Sequence, residues 1–303
     1  MDARTDRIDI SRLAGASFVV VLLVFAAFRL LGVEPWAWPA YDLYAYWMTR
    51  DGLDYAIGHQ GETGAYLYSP AFAQLISPLT ALRWQVFAGI WTTLPAVPLL
   101  WLAGPWALPL FLLPPIAMSI ALGQLDLAFA LVVILGWRWP AVWALPILTK
   151  VTPGIALVWF AVRREWRSLG IAVGATALIA LLSAAIDPAG WAAWLAMLDR
   201  REFPALGGGL WFLPIPLAFR LVAATMLVAW GAATDRRWVV PVGVVMSLPT
   251  MWVNSPTILV ALLPLATRGA TTPAGAWLRD GNAIVSLADA RRRLPAWVRR
   301  VAA

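Results

Sequence analysis

Apolar segments recur along this chain from Leu13 to Arg268, and they constrain the fold more than any other feature. Of the 303 residues, 61% are hydrophobic, and the mean hydropathy is +0.74. Water-soluble domains are far less apolar, and the short links between the apolar segments leave no room for a soluble domain of ordinary size. The sequence therefore predicts an all-α integral membrane protein with many membrane-spanning helices.

Arginine-rich links predict how these helices are oriented, because basic links face the cytoplasm. Basic residues precede the first apolar segment, and they recur in "RREWR", in "TDRRW" and in the terminal "ARRRLPAWVRR". The acidic and aromatic segment from Glu34 to Tyr68 is then expected outside, and both termini are expected in the cytoplasm. About ten spans follow, with approximate bounds 13–33, 65–82, 84–103, 106–121, 123–137, 139–162, 168–186, 212–231, 238–253 and 255–267.

The prediction divides the chain into a transmembrane domain over residues 1–268 and a basic cytoplasmic tail over 269–303. The first apolar segment is longer than the core of an ordinary signal peptide, so we expect an uncleaved signal anchor rather than a cleaved peptide. The net charge of +7 does not indicate nucleic-acid binding, because the arginines lie in short links. An arginine-rich, lysine-poor composition is typical of GC-rich bacteria, and we expect a multi-pass protein of the bacterial plasma membrane.

Helix-breaking residues interrupt several of the predicted spans. The chain has 23 prolines, and the stretches "LPLFLLPPIAMS" and "LPILTKVTPG" both break apolar segments. Such breaks persist in a membrane only where they are buried in protein or line a wet cavity. The sequence therefore predicts short, broken helices around a central cavity, an arrangement used by transporters and by membrane transferases.

The long outside loop carries the first candidate catalytic residues. Asp42 follows the first span among tyrosines that include Tyr44, and partial burial would raise its pKa and suit it to act as a general base. The alternative is a solvated surface aspartate. Asp51 and Asp54 form "DGLD", which is weak evidence for a divalent cation, and His59 either contacts a phosphate or sugar or is simply solvated.

Lys150 is the only lysine in the chain, and it lies between two apolar stretches. A charge there is costly and usually functional, and a phosphate is the anion that we expect it to meet. The alternative is a side chain that extends to the nearest interface. Gln124 and Asp126 begin an apolar helix, where they either bind substrate or join helices. Arg200 and Arg201 either contact an anionic substrate or pair with neighbouring acidic residues.

In their order along residues 13–186, these motifs resemble glycosyltransferase family 87, the polyprenyl-phosphate-mannose-dependent mannosyltransferases. Four short motifs carry the resemblance: "D-x-x-x-Y" at Asp42 and Tyr46, "Y-x-Y-x-P" at Tyr66, Tyr68 and Pro70, "G-Q-x-N" at Gly123, Gln124 and Asp126, and "K-x-x-P" at Lys150 and Pro153. Asp126 stands where the family pattern has an asparagine. We expect Tyr44 and Tyr68 to line the substrate site.

The resemblance implies a GT-C fold, which is a helical membrane core with its active site facing outside. It also implies transfer of a sugar, mannose by analogy, from a polyprenyl phosphate donor to a hydroxyl of a lipid-linked or cell-envelope glycan, with inversion. Asp42 would be the catalytic base and Lys150 would hold the donor phosphate. No nucleotide, metal or other cofactor is expected, and the remaining partner is the lipid bilayer.

Two other functions are compatible with the sequence alone. A transporter or lipid flippase would use Lys150 and Asp126 as intramembrane substrate contacts. A non-catalytic membrane scaffold would use neither. Asp42 discriminates between these functions, because a transferase needs an outside carboxylate and a flippase has little use for one.

Overall fold

The computed structural model describes residues 19, 20, 23, 41–55, 64–199, 215–266 and 272–280, and these residues form helices and links but no strand. The prediction of an all-helical chain is thus confirmed for the described residues. Most of the predicted first span lies outside them.

The described residues contain 15 α-helices, most of them shorter than a membrane crossing. In chain order they are α1 Tyr41–Met48, α2 Pro70–Thr80, α3 Trp84–Thr93, α4 Ala96–Ala103, α5 Ala107–Phe111, α6 Pro114–Leu122, α7 Asp126–Leu135, α8 Ala144–Lys150, α9 Val158–Val162, α10 Trp166–Ile186, α11 Pro188–Asp199, α12 Leu217–Ala233, α13 Val239–Ser247, α14 Leu262–Ala266 and α15 Pro273–Asp280. Short 3₁₀ helices cover Thr49–Asp51, Gly104–Trp106, Pro140–Trp143, Thr152–Leu157 and Ser255–Ala261.

Proline and glycine set many of the helix boundaries. Pro70, Pro114 and Pro188 each begin an α-helix, where a residue without an N–H loses no hydrogen bond. Gly123 ends α6 in the left-handed region, with φ 80° and ψ 24°, as helices often end. The stretches "LPLFLLPPIAMS" and "LPILTKVTPG" both contain helix ends, since α5 stops before Pro114 and α8 stops at Lys150. The prediction of short, broken helices is confirmed.

Within the part of the chain that the structure describes, two helices are long and apolar enough to cross a membrane. The first covers Trp84–Phe111, 28 residues that include α3, α4 and α5, and the second is α10, with 21 residues. Helices α6 and α7 would form a third only as a pair bent by 103°. Only 11% of the apolar window in α10 is buried, as expected for a helix that faces lipid. The chain is therefore a helical membrane protein.

Contacts at the two ends of α7 contradict part of the ten-span topology. That topology puts Asp42 outside and the link before Gln124 on the cytoplasmic side, yet Gln124 Nε2 donates a hydrogen bond of 2.6 Å to Asp42 Oδ2. It also separates Trp137 from Arg237 across the membrane, yet the guanidinium carbon lies 5.1 Å from the centre of a Trp137 ring. The predicted topology therefore misplaces at least one residue of each pair.

The error lies in treating every apolar run as a full crossing. The predicted spans 84–103 and 106–121 divide a segment that is continuous as one long helix over Trp84–Phe111. Merging them reverses the direction of the span that follows. Hydropathy measures how apolar a run is, but it does not show whether the chain crosses the membrane there or turns back.

The segment 140–162 is a hairpin rather than the single predicted crossing 139–162. The ring of Trp137 lies 5.0 Å from Trp159 and 6.0 Å from Phe160, measured between ring centres, so the chain returns to the level at which it left α7. At the other end of the hairpin, Lys150 is within electrostatic range of Asp42. The hairpin therefore carries Lys150 to the level of Asp42.

A buried arginine fixes the turn that follows α13. Arg220, only 6% exposed, donates hydrogen bonds of 2.6–2.9 Å to the carbonyl oxygens of Ile215, Met246, Leu248 and Pro249. The last carbonyls of a helix have no partner within the helix, and a basic side chain satisfies them well. This turn leads directly to Asn254, which belongs to the candidate site.

Candidate active site

Asp42 lies in the first turn of α1, at the point where α1 meets the junction of α6 and α7. Its Oδ2 atom accepts the 2.6 Å hydrogen bond from Gln124 Nε2. The neighbouring side chains of Leu43 and Tyr46 are fully buried, with 0% exposure, whereas Asp42 is half-buried and keeps some accessible surface. Asp42 is therefore held by protein and still reachable, as a reacting group must be.

Gly123 allows Gln124 to reach Asp42. A Cβ atom at Gly123 would lie 2.6 Å from Leu43 Cδ1, and the φ of +80° is unfavourable for other residues. The carbonyl oxygen of Gly123 accepts a hydrogen bond of 2.9 Å from Trp91 Nε1. The sharp turn and the close approach of α1 both require glycine here.

Asp126, the first residue of α7, joins three segments of the chain. Its Oδ2 atom accepts hydrogen bonds from Ser119 Oγ at 3.0 Å and from Asn254 Nδ2 at 2.9 Å. The side chain is 1% exposed. Both donors were missed by the sequence analysis, although a polar "NS" within an apolar run at Asn254 was a usable signal. The observed contacts of Asp126 join helices, and its role in substrate binding stays a prediction.

Lys150 ends α8 at the tip of the hairpin, next to an unusual backbone conformation. Val151 has φ 54° and ψ −61°, which is the strained form of the γ-turn and is rare for a β-branched residue. Strain of this kind is often found at functional sites. The turn ends the helix immediately after Lys150 and reverses the chain.

The ammonium group of Lys150 faces several polar groups without pairing closely with any of them. It is within electrostatic range of Tyr68, Asp126 and Asp42, and it lies 5.7 Å from the centre of the Phe129 ring. Among the residues that the structure describes, no carboxylate oxygen lies within 4.0 Å of it. Its N–H groups therefore remain available to an anion.

The surroundings of Asp42 suit a general base. Burial raises the pKa of Asp42 from 3.8 to about 6, and the negative charge of Asp126 acts in the same direction. The positive charge of Lys150 and the hydrogen bond from Gln124 oppose this rise. The net effect is a carboxylate that is ionised at neutral pH but more basic than a surface aspartate. This agrees with the predicted effect of partial burial.

Tyr68 and Tyr44 occupy different surroundings. The hydroxyl of Tyr68 lies 3.2 Å from that of Tyr46, which donates to it, and it belongs to the group around Lys150. Tyr44 packs in an aromatic cluster, with its ring centre 6.1 Å from Trp84 and 6.3 Å from Trp47. The structure thus connects Tyr68 to the candidate site through Lys150, while the described contacts of Tyr44 are with aromatic side chains.

The remaining candidates do not join this cluster within the described part of the chain. His59, Arg200 and Arg201 lie outside the described residues. Asp51 is exposed and pairs with Arg50 at 3.7 Å, and Asp54 is exposed as well. Across the residues that the structure describes, no group of three or more His, Cys, Asp and Glu side chains is arranged to hold a metal ion.

Comparison with known proteins gives one result. The model of the family described as "Glycosyltransferase family 87" matches residues 66–278. No curated protein and no solved structure matches the chain.

Proposed function

Because the chain belongs to glycosyltransferase family 87 and is a membrane glycosyltransferase, we propose that it transfers mannose from a polyprenyl phosphate donor to a hydroxyl of a lipid-linked or cell-envelope glycan, with inversion. One observation carries the proposal. The carboxylate of Asp42 is held by Gln124 at 2.6 Å and lies within electrostatic range of the Lys150 ammonium, so a base and a cation can act on one glycosidic centre.

The proposed step is a direct displacement at the anomeric carbon. The acceptor hydroxyl oxygen forms a bond to this carbon while its proton moves to an oxygen of Asp42. The bond between the anomeric carbon and the phosphate oxygen breaks, and its electron pair stays on the phosphate. The products are the glycosylated acceptor, a polyprenyl phosphate monoester and a protonated Asp42, which then loses its proton to water. Holding the reacting atoms within about 3–3.5 Å in this alignment supplies much of the rate.

Asp42 fits the role of base through its position and its proton affinity. Burial raises its pKa to about 6, close enough to neutrality that the carboxylate is mostly ionised and still able to accept a proton. The hydrogen bond from Gln124 occupies Oδ2 and orients the carboxylate. The accessible part of the carboxylate is then available to meet the acceptor hydroxyl.

Lys150 fits the role of donor-phosphate ligand because charge develops beside it. The donor phosphodiester carries one negative charge, and the departing monoester carries up to two. A fixed ammonium stabilises the product-like charge more than the starting charge, and so lowers the barrier. Lys150 lies at the tip of a hairpin, directly before the strained turn at Val151, so the backbone that carries it is fixed before the substrate arrives.

We further propose a GT-C architecture in the bacterial plasma membrane, with the site facing outside. The lipid-exposed helix α10 and the broken helices support a groove that a polyprenyl chain enters from the bilayer. The acceptor hydroxyl would approach from the outer aqueous side, where the Asp42 loop is predicted to lie.

The test is transfer by purified protein in detergent or nanodiscs. Radiolabelled polyprenyl-phosphate mannose is offered with a panel of glycolipid acceptors, and Asp42→Asn is expected to reduce transfer by at least about 100-fold. Asp51 gives a matched control, because it is exposed and lies nine positions further along the chain. Asp51→Asn removes the same charge and should leave transfer unchanged. Equal transfer by wild type and Asp42→Asn would show that Asp42 is not the base.

A second pair of variants tests Lys150. Lys150→Ala is expected to weaken donor binding, whereas Arg50→Ala, which removes an exposed cation, should not. Unchanged donor affinity in Lys150→Ala would show that this lysine does not bind the donor and favour the alternative, in which its side chain extends to the membrane–water interface. Movement of the lipid across the bilayer without transfer would instead indicate a flippase.

A further inference from the structure

The hydroxyl of Tyr68 is unusually well fixed for a residue at a half-exposed site. Its ring lies within 5.5–5.8 Å of the rings of Tyr46, Tyr66 and Phe72. Its backbone carbonyl accepts a hydrogen bond of 2.7 Å from Tyr55. A ring held on three sides and by its own backbone has few alternative positions, so its hydroxyl is presented in one direction.

The hydrogen bond from Tyr46 determines what the Tyr68 hydroxyl can still do. Tyr46, fully buried at 0% exposure, donates to the Tyr68 oxygen at 3.2 Å. A phenol has one proton to donate, and that of Tyr68 has no acceptor among the residues that the structure describes. Tyr68 keeps accessible surface, and its oxygen lies within electrostatic range of the Lys150 ammonium. Within the described residues, the cluster therefore offers a second unused hydrogen-bond donor within electrostatic range of the cation.

This deepens the proposed function and rests on it: we infer that Tyr68 is a second ligand of the donor phosphate, that its hydroxyl donates to a phosphate oxygen while Lys150 binds another, and that Tyr46 is the positioning residue that directs the Tyr68 proton towards the phosphate. A lysine alone is a point charge with freely rotating donors. A phenol at a fixed place adds the direction that a point charge lacks.

The proposed hydrogen bond from the Tyr68 hydroxyl to the donor phosphate strengthens during transfer. As the bond to the anomeric carbon breaks, its electron pair passes to the phosphate oxygen, and the phosphate changes from a diester monoanion to a monoester that carries up to two negative charges. Hydrogen bonds to charged acceptors are about twice as strong as neutral ones. Tyr68 keeps its proton throughout and donates more strongly to the product-like phosphate, so its removal affects kcat as well as donor binding.

The experiment compares the binding of a short-chain polyprenyl phosphate with that of the corresponding uncharged polyprenol. For Tyr68→Phe, affinity for the phosphate is expected to fall by about 10- to 100-fold, which is the usual effect of losing a hydrogen bond to a charged group, while affinity for the polyprenol stays within about twofold. Tyr46→Phe is expected to weaken phosphate binding by about 3- to 10-fold, because the Tyr68 proton is no longer directed.

Tyr66→Phe is the matched control. Tyr66 belongs to the same aromatic cluster and donates a buried hydrogen bond of 2.9 Å to the Ser69 carbonyl oxygen, but it is not among the groups within electrostatic range of Lys150. Removing the Tyr66 hydroxyl should leave phosphate binding within about twofold of wild type. Because Tyr46 acts through Tyr68, Tyr46→Phe should add nothing in a Tyr68→Phe background, which a purely structural effect would not produce.

The outcomes separate this inference from the proposal beneath it. If wild type binds the phosphate no better than the polyprenol, the proposed donor and the inference both fail. If wild type prefers the phosphate and Tyr68→Phe retains the full preference, only the inference fails. An equal loss for phosphate and polyprenol would likewise overturn it, because that pattern reports packing. If Tyr68→Phe does not fold, Tyr46→Phe decides by the same comparison.

Discussion

Replacing Asp42 by asparagine is expected to stop sugar transfer and, at neutral pH, to stabilise the fold. Burial raises the pKa of Asp42 from 3.8 to about 6, so the folded protein holds this proton more tightly than the unfolded chain does. The difference between the two values corresponds to roughly 3 kcal/mol, at about 1.4 kcal/mol per pH unit. Because the side chain keeps some accessible surface, solvent reduces this cost, and we expect a gain of about 1–3 kcal/mol.

The pH window of this effect follows from the direction of the shift. Below pH 3.8 both states carry the proton, and the Asp42 carboxyl costs nothing. As the pH rises from 3.8 to about 6, the unfolded chain releases the proton and the folded protein retains it, so the wild type loses stability relative to its unfolded state. Above about pH 6 the loss is constant. Asparagine does not ionise, and its amide oxygen still accepts the hydrogen bond from Gln124.

Thermal unfolding of wild type and Asp42→Asn, measured near pH 4 and near pH 7.5, tests the argument. For a chain of this size 1 kcal/mol moves Tm by roughly 2–4 °C, so the variant should exceed wild type by roughly 2–12 °C at the higher pH and by much less at the lower. Asp51→Asn serves as the control, because the Asp51 side chain is 62% exposed, and it should show no such difference. A Tm advantage that is absent, or equal at both pH values, would refute the reasoning.

The remaining predictions concern pH and packing. The value of kcat/KM should fall about tenfold per pH unit below about pH 6, because only ionised Asp42 accepts a proton; a rate that is flat over this range would exclude Asp42 as the base. The pKa seen in kcat should be higher than the one seen in kcat/KM, because the bound phosphodiester adds a negative charge near Asp42, and a pH profile at saturating donor measures it. Gly123→Ala should lower the free energy of unfolding by about 1–3 kcal/mol, because its Cβ would lie 2.6 Å from Leu43 Cδ1. Chemical denaturation measures this, and a variant that unfolds at the same denaturant concentration as wild type would contradict it. Asn254→Ala should cost about 1–3 kcal/mol, since it removes one of two donors to the buried Asp126 carboxylate, and the same denaturation assay measures it.

Helix boundaries were the part of the fold that could be predicted from the sequence, because they depend on neighbouring residues. Prolines and glycines marked where helices begin and end, and the structure has helix ends in both stretches that the sequence analysis selected. The predicted span 168–186 corresponds closely to α10, Trp166–Ile186. A boundary depends on a few neighbouring residues, such as the missing N–H of Pro114, and these are visible in the sequence.

Topology could not be read in the same way, because it depends on contacts between distant residues. The bond between Asp42 and Gln124 joins residues 82 positions apart, and that between Asp126 and Asn254 joins residues 128 positions apart. No periodicity within a span reports either contact. The single lysine, Lys150, indicates one part of the site, but its position near Asp42 follows only from the hairpin.

Membership of the site was likewise only partly visible. Asp42, Gln124 and Lys150 were selected as candidates, and the structure brings them together, while their chemical roles stay predictions. Ser119 and Asn254 are not among the candidates, because a hydroxyl or an amide in an apolar run looks the same whether it joins two helices or faces substrate. Tyr46 is part of the family motif, but the motif does not show that it donates to Tyr68. Their partners distinguish these cases, and partners are known only from the fold.

The helix breaks and the polar cluster have one physical cause. Along the middle of an unbroken apolar helix, all backbone groups are hydrogen-bonded within the helix, so they offer a substrate no free donors. The partial charges of the helix dipole, which stabilise a buried charge, are found only at helix ends. The cluster is built from helix ends instead: Asp42 and Asp126 lie in the first turns of α1 and α7, and Lys150 lies in the last turn of α8. Each charge has the sign that the adjacent helix dipole stabilises. The breaks in this chain therefore do more than shorten helices, because without them two carboxylates and an ammonium would not be tolerated together in an apolar protein.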